Sequence, residues 1–262
     1  MQLPMGYEMD GTPVPAYVYP AKASGGLFAN VEDLANFVRA EMIGPYAANQ
    51  SVLSLEGIKQ IQDSQVEIPG MFGFVADGYG FGHFVEVLPD GRQAVWHGGQ
   101  GHGWMTHFHA VPQSGAGIVI LTNSQRSWPF IAEVLSDWAQ WGDFGRLNFT
   151  IIIQATLALK ILTGIIYLLS IWQIYFLIKG ILRGKRKFSP LAPESRFVRS
   201  AQALFGLAVI AVLSWSVAQP YLFVSSIFPG TINWLAGGLL FLAFVNILAA
   251  CFPKVGITMG EK

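Results

Sequence analysis

The run "YGFGHFVEVLPDGRQAVWHGGQGHGWMTHFHAVPQSGAGIVILTN", Tyr79 to Asn123, decides the fold. "YGFGHFVEV" alternates apolar and polar residues, "PDG" makes a turn, and "RQAVWH" alternates again. After a cluster of glycines, "WMTHFHAV" alternates, "PQSGAG" turns, and "IVILTN" is an apolar run. A period of two marks a strand, and short Pro, Asp and Gly punctuation marks hairpins. Four strands joined by short turns predict an antiparallel meander. "WPFIAEVLSDWAQW", Trp128 to Trp141, then changes period, with Trp128, Ile131, Leu135 and Trp138 near one face. That spacing predicts an amphipathic helix able to cover the sheet.

Upstream, residues 1–23 are Pro-rich and read as extended chain. "SGGLFANVEDLANFVRAEM" reads as a glycine turn leading into a helix. Asn30 suits the N-cap, Glu32 and Asp33 suit the positive end of the helix dipole, and Leu34, Phe37 and Val38 form one apolar face. Gly25 and Gly26 read as turn residues, Asp33 as a capping residue, and Tyr7 and Trp104 as packing residues. A second helix is predicted at Ser54–Gln62, with Ser54 as its cap. Helices, then strands, then a covering helix make an α+β arrangement.

Net charge is zero over 262 residues, but the sign is divided along the chain. Up to Asn148 there are 14 acids and 6 bases; from Phe149 there are 2 acids and 10 bases. The second part is also far more apolar. Ile161 to Ile178 is uncharged, and Ser200 to Pro253 is uncharged over 54 residues. Hydrocarbon about 30 Å thick needs about 20 apolar residues per helix, so three transmembrane helices are expected near 155–179, 200–219 and 231–252. Gln219-Pro220 and Pro229-Gly230 bracket the last turn, with Tyr221, Phe223 and Phe228 as interfacial aromatics. The expected division is a soluble domain over 1–145 and a membrane domain over 149–262.

"KGILRGKRKF", Arg196, Arg199, Lys254 and Lys262 all fall on one side of these spans. The positive-inside rule assigns that side, and the C-terminus, to the cytoplasm, and puts the soluble domain outside. A basic cluster directly beside a span argues against nucleic acid as the partner and for the lipid bilayer. Lys160, near a span end, is the one charge that argues for a transporter or channel, and such functions need buried charge within the spans. Cys251, alone and inside a span, forms neither an intrachain disulfide nor a metal pattern. "MQLPMGYEMDGTPVP" has no basic region followed by an apolar run, so the expectation is a chain incomplete at its front.

Four of the five histidines, His97, His102, His107 and His109, lie within Ala94–Pro112. A metal site would need converging ligands, and neither His-Glu-x-x-His nor paired cysteines occur. His107 and His109 are expected as exposed strand histidines. His97-Gly98-Gly99 follows a strand predicted to end at Trp96. A side-chain donor with exposed backbone N–H groups at a strand edge suits acyl transfer, whose oxyanion must be met by fixed donors.

"ASGGLFANVEDLANFV" and "YGFGHFVEV…WHGGQGHGWMTHFHAVPQSGAGIVILTN" together resemble the serine β-lactamase-like family, which includes class C β-lactamases, D-alanyl-D-alanine carboxypeptidases and related esterases. The resemblance covers roughly residues 6–141. It implies that the meander is the C-terminal part of a β-lactamase/transpeptidase-like domain, here followed by three transmembrane helices. It places His97 in the His-x-Gly version of the Lys-Thr-Gly motif, polarising the site. Gly99 would allow close substrate approach, and the Gln100 backbone N–H would match an oxyanion donor. Peptidoglycan-type peptides, β-lactams or small esters are the implied substrates, with no cofactor and no metal.

The departure is equally specific. No serine has Lys three residues later, and no Tyr-x-Asn occurs; "YAAN" at Tyr46–Asn49 is one residue too long and follows the Gly-Gly turn. The family's nucleophile and general base would then lie before Met1, and the half-site alone cannot carry out covalent acyl transfer. Two readings follow. One is the C-terminal portion of a membrane-anchored serine hydrolase. The other is a non-catalytic binding or scaffold protein, in which a protein partner completes the half domain.

Overall fold

A computed structural model describes residues 3–17, 19–21, 25–47, 53–191, 193–219 and 222–255. Ala23, Ser24, Asn49, Pro220, Tyr221 and Lys262 lie outside the described residues. The chain forms two units, Met1–Ala155 with Ser226–Phe228, and Thr156–Ser225 with Pro229–Lys262.

The first unit is built on a five-stranded antiparallel meander: β3 (Gly78–Tyr79), β4 (Phe84–Val87), β5 (Gln93–Gly101), β6 (Trp104–Val111) and β7 (Ala116–Thr122), adjacent in chain order. A separate two-stranded ribbon pairs β1 (Gly6–Tyr7) with β2 (Pro13–Val14). The stretch read as one strand from Tyr79 to Val87 is two. Gly82 adopts φ +84°, a left-handed conformation that folds β3 back on β4. Nor does β5 end at Trp96: its ladder to β6 continues through His97↔Phe108, Gly99↔Thr106 and Gly101↔Trp104. Three glycines near a strand end suggest a break, but β6 supplies backbone partners that keep them extended.

Register assigns the faces. Trp96↔His109, His97↔Phe108 and His109↔Ile118 place Ala94, Trp96, Met105, His107, His109, Val111, Ile118 and Ile120 on one side. The helix α3 (Trp128–Trp141) covers that side with Trp128, Ile131, Leu135 and Trp138, all buried. Full burial of a residue such as Ile131 or Leu135 contributes roughly 1.5–3 kcal/mol. The opposite face carries Val95 and Ala110 against Val38 and Met42. Val38 belongs to α1 (Val31–Ala40), whose N-cap Asn30 accepts from the Asp33 N–H at 2.8 Å. Phe37, expected on its apolar face, is 49% exposed and meets Phe108 edge-on. In α2 (Leu55–Gln62), Ser54 caps the Gly57 N–H at 3.1 Å.

The expectation of exposed His107 and His109 is wrong: they are 2% and 0% exposed. Alternation puts two polar residues on one face, and here it is the face under α3. His107 Nε2 and His109 Nδ1 are 3.4 Å apart, and the rings stack with Trp96. Burial, with lesser contributions from His109 and His97, holds the His107 pKa well below its usual value. Burial alone takes His109 to about 3. Glu86 on β4 is also buried, its Oε1 accepting from the Asn148 N–H at 2.5 Å.

The second unit consists of helices. α4 (Ile151–Leu182) starts earlier and ends later than the expected span. α5 (Arg196–Val217) and α7 (Thr231–Cys251) follow, with the short α6 (Phe223–Ile227) between them in sequence. Three helices, over Asn148–Leu182, Arg196–Val217 and Thr231–Cys251, are long and apolar enough to cross a membrane. α5 and α7 approach closely at Gly206, where an added Cβ would stand 2.8 Å from the Ala243 carbonyl. Arg199 is buried and donates to the carbonyls of Ala250, Ser189 and Pro190 at 2.7–2.8 Å. It thereby caps the negative end of α7 and ties down the connection between α4 and α5.

Two pH effects of opposite sign follow for the first unit. A buried neutral imidazole takes up its proton only on unfolding, so stability falls as pH drops from 6.5 toward about 3. His109 alone should cost roughly 2 kcal/mol at pH 5 relative to pH 7, and His109→Leu should flatten that limb of the thermal-melting profile. For Glu86, burial raises the pKa to about 7, against a lowering by the Asn148 N–H. A raised carboxyl pKa removes stability as pH climbs from 4.5 to about 7. Glu86→Gln should therefore raise the melting temperature at pH 8 more than at pH 4.

Candidate functional site

The ladder between β4 and β5 stops at Phe84↔Trp96, while the one to β6 continues to Gly101. From His97 onward, β5 therefore has a strand neighbour on one side only among the described residues. The sheet opens there, as an extended substrate would require.

His97 stands at the first position of that open stretch, half-buried. Its Nε2 lies 3.2 Å from the Tyr79 hydroxyl, and its ring packs beside Phe84 with centroids 5.4 Å apart. Burial lowers its pKa, the Gly98 backbone opposes this, and the His83 charge lowers it further. His97 is accordingly a neutral imidazole at pH 7, able to donate from one nitrogen and accept at the other.

Gly99 shares the His97 face. An added Cβ there would stand 2.3 Å from Thr106 Oγ1 on β6, so glycine here leaves room for the threonine side chain. Alternation puts the exposed Gln100 side chain on the opposite face, so that only its backbone can serve a site on the His97 face. His102 sits apart at the hairpin tip, exposed and 3.1 Å from Glu8. The four histidines of one stretch thus occupy three environments, and the fold brings only His97 and Gly99 to the open edge on one face.

Sequence reading missed Tyr79 and a buried pair behind it, His83 and Glu41, with Nε2 2.9 Å from Oε2. His83 Nδ1 lies 3.1 Å from the Phe81 carbonyl. Burial pulls the His83 pKa down, but the hydrogen bond and charge of Glu41, with the Phe81 carbonyl, outweigh it and leave the pKa raised. His83 charge in turn disfavours a second charge on His97. Residues 41, 79, 83 and 97 share no motif spacing, because pairing and helix placement bring them together. The only signal was that Tyr79 opens the strand region.

Residues 3–135 match the sequence model of the family described as Beta-lactamase. No curated protein matches the chain. Among solved structures, the chain is similar to the octameric penicillin-binding protein homologue from Pyrococcus abyssi, at 24% identity and a TM-score of 0.48. That match covers 58% of this chain and 34% of the other, so the chain spans well under two thirds of that protein's length.

The His83–His97 coupling is open to a direct check. Glu41→Gln removes the partner that raises the His83 pKa, so His83 should titrate lower and His97 higher than in the unaltered protein. Histidine ring NMR across pH 4–8 reads both shifts, and an unmoved His97 would remove the coupling.

Proposed function

The chain belongs to the β-lactamase family, and on that premise we propose that it is the C-terminal part of a membrane-anchored, extracytoplasmic serine hydrolase. The reaction is attack on an amide or ester by a serine, formation of an acyl-serine, and its hydrolysis. The observation that carries this reading is the open half of β5, which presents His97 and Gly99 on one face. An acyl substrate laid along that edge meets the His97 imidazole as a donor to its carbonyl or carboxylate. The backbone N–H of Gln100 is the oxyanion donor in this reading. Peptidoglycan-type peptides, β-lactams and small esters are the substrate classes. Acyl-serine chemistry needs no metal and no cofactor.

Neither Ser-x-x-Lys nor Tyr-x-Asn occurs in the chain. In this proposal the nucleophile and base therefore stand on polypeptide other than these 262 residues. Three apolar helices of span length support the anchor. The basic residues of 179–199 and Lys254 support a cytoplasmic position for that end and an outside position for the hydrolase unit. The same missing motifs favour a second reading, a non-catalytic membrane-anchored binding or scaffold domain, completed by a protein partner.

The test is acylation of the protein in its native membranes by a fluorescent penicillin and hydrolysis of a chromogenic ester. The proposal expects labelling of a species containing this chain, with His97→Ala lowering the acylation rate by about 10²–10³, as for loss of one oxyanion-type donor. Labelling unchanged by His97→Ala would take His97 out of the site. No labelling, with retained binding of cell-wall peptides, would establish the scaffold reading.

A further inference from the structure

The second unit holds a cleft of about 390 Å³ lined by Lys160, Thr163, Gly164 and Tyr167 of α4 and by Thr231 and Trp234 of α7. Its walls are almost wholly apolar, and Lys160 and Thr231 are among the residues that line it. Lys160 makes no hydrogen bond or ion pair among the described residues. No acid occurs between Asp143 and Glu194, or between Glu194 and Glu261, so the membrane segments hold no carboxylate to pair with it. Thr231 is the first residue of α7, 9% exposed, and its hydroxyl has no hydrogen-bond partner among the described residues. Gly230 before it gives no side-chain cap. The positive end of a 21-residue helix, with its orphan N–H groups, therefore joins Lys160 at the cleft. Tyr167 lies against α7, where an added Cβ would stand 2.8 Å from its hydroxyl at Gly237 and 3.1 Å from its ring at Gly238.

Depth identifies the ligand class. From Lys160 to Leu182 the helix rises about 33 Å, and from Thr231 to Cys251 about 30 Å, each near the thickness of bilayer hydrocarbon. Lys160 and Thr231 thus both mark one membrane face, while Arg186, Arg199 and Lys254 mark the other. Trp234 is 70% exposed and one turn inside Thr231, where an interfacial aromatic belongs. A cation and a positive helix end at headgroup depth, beside apolar walls, suit a phosphate that carries acyl chains.

We propose that this cleft binds an anionic phospholipid of the surrounding bilayer, its phosphate held by Lys160, Thr231 and the start of α7, and its chains lying along Tyr167 and Trp234. The site rests on the membrane reading of these helices and is independent of any hydrolase activity.

The test is native mass spectrometry of the full chain, released from micelles containing phosphatidylglycerol or phosphatidylcholine. One phosphatidylglycerol should be retained at least tenfold more than phosphatidylcholine. Lys160→Gln should abolish that preference, and Thr231→Val should weaken it. Lys187→Gln, at the basic end, should leave it intact. Circular dichroism of each variant establishes that the helices persist, and Thr231→Val carries the test if Lys160→Gln does not fold. Equal retention of both lipids, or equal loss with Lys187→Gln, overturns the proposal. Displacement of the lipid by millimolar inorganic phosphate would show a free-phosphate site and also overturn it.

Discussion

The pairing of β5 with β6 is the constraint on which the first unit depends. Side chains alternate with a period of two, so Trp96↔His109 decides at once which residues face α3 and which share the other face with Val95, His97 and Ala110. A slip of one residue would bring His107 and His109 out and turn His97 into the core. The aromatic packing of Trp96, Trp128, Trp138 and Phe149 makes such a slip costly, because these rings fill the space under α3. The candidate site thus inherits its position from a hydrophobic requirement on the opposite face of the sheet.

The same register makes the two buried histidines intelligible. A core position with an imidazole carries a desolvation cost that grows with acidity, and Glu86 carries one that grows with alkalinity. Their opposing costs narrow the pH range in which the first unit is most stable. At the open edge burial is only partial, so His97 remains neutral yet accessible. His83, whose pKa Glu41 raises, adds to that neutrality by electrostatic repulsion rather than by contact.

In the second unit three helices are long and apolar enough to cross a membrane. Backbone groups are satisfied within helices, close approach depends on small residues such as Gly206, and unbalanced charge is kept to the ends. Arg199 satisfies helix-end carbonyls at the basic end, and Lys160 stands at the other with a positive helix terminus beside it.

The local periods in the sequence were enough to establish the meander, the covering helix Trp128–Trp141, the Asn30 and Ser54 caps and the three apolar helices. These features depend on residues close together along the chain. The burial of His107 and His109, the continuation of β5 past its glycines, and the company of Tyr79, His83 and Glu41 were not legible in the sequence. Alternation separates two faces without saying which one a helix will cover, and a glycine run is extended or broken according to its neighbour strand. Those choices belong to the tertiary structure, where the burial of Trp96 and its aromatic neighbours outweighs the cost of desolvating two imidazoles.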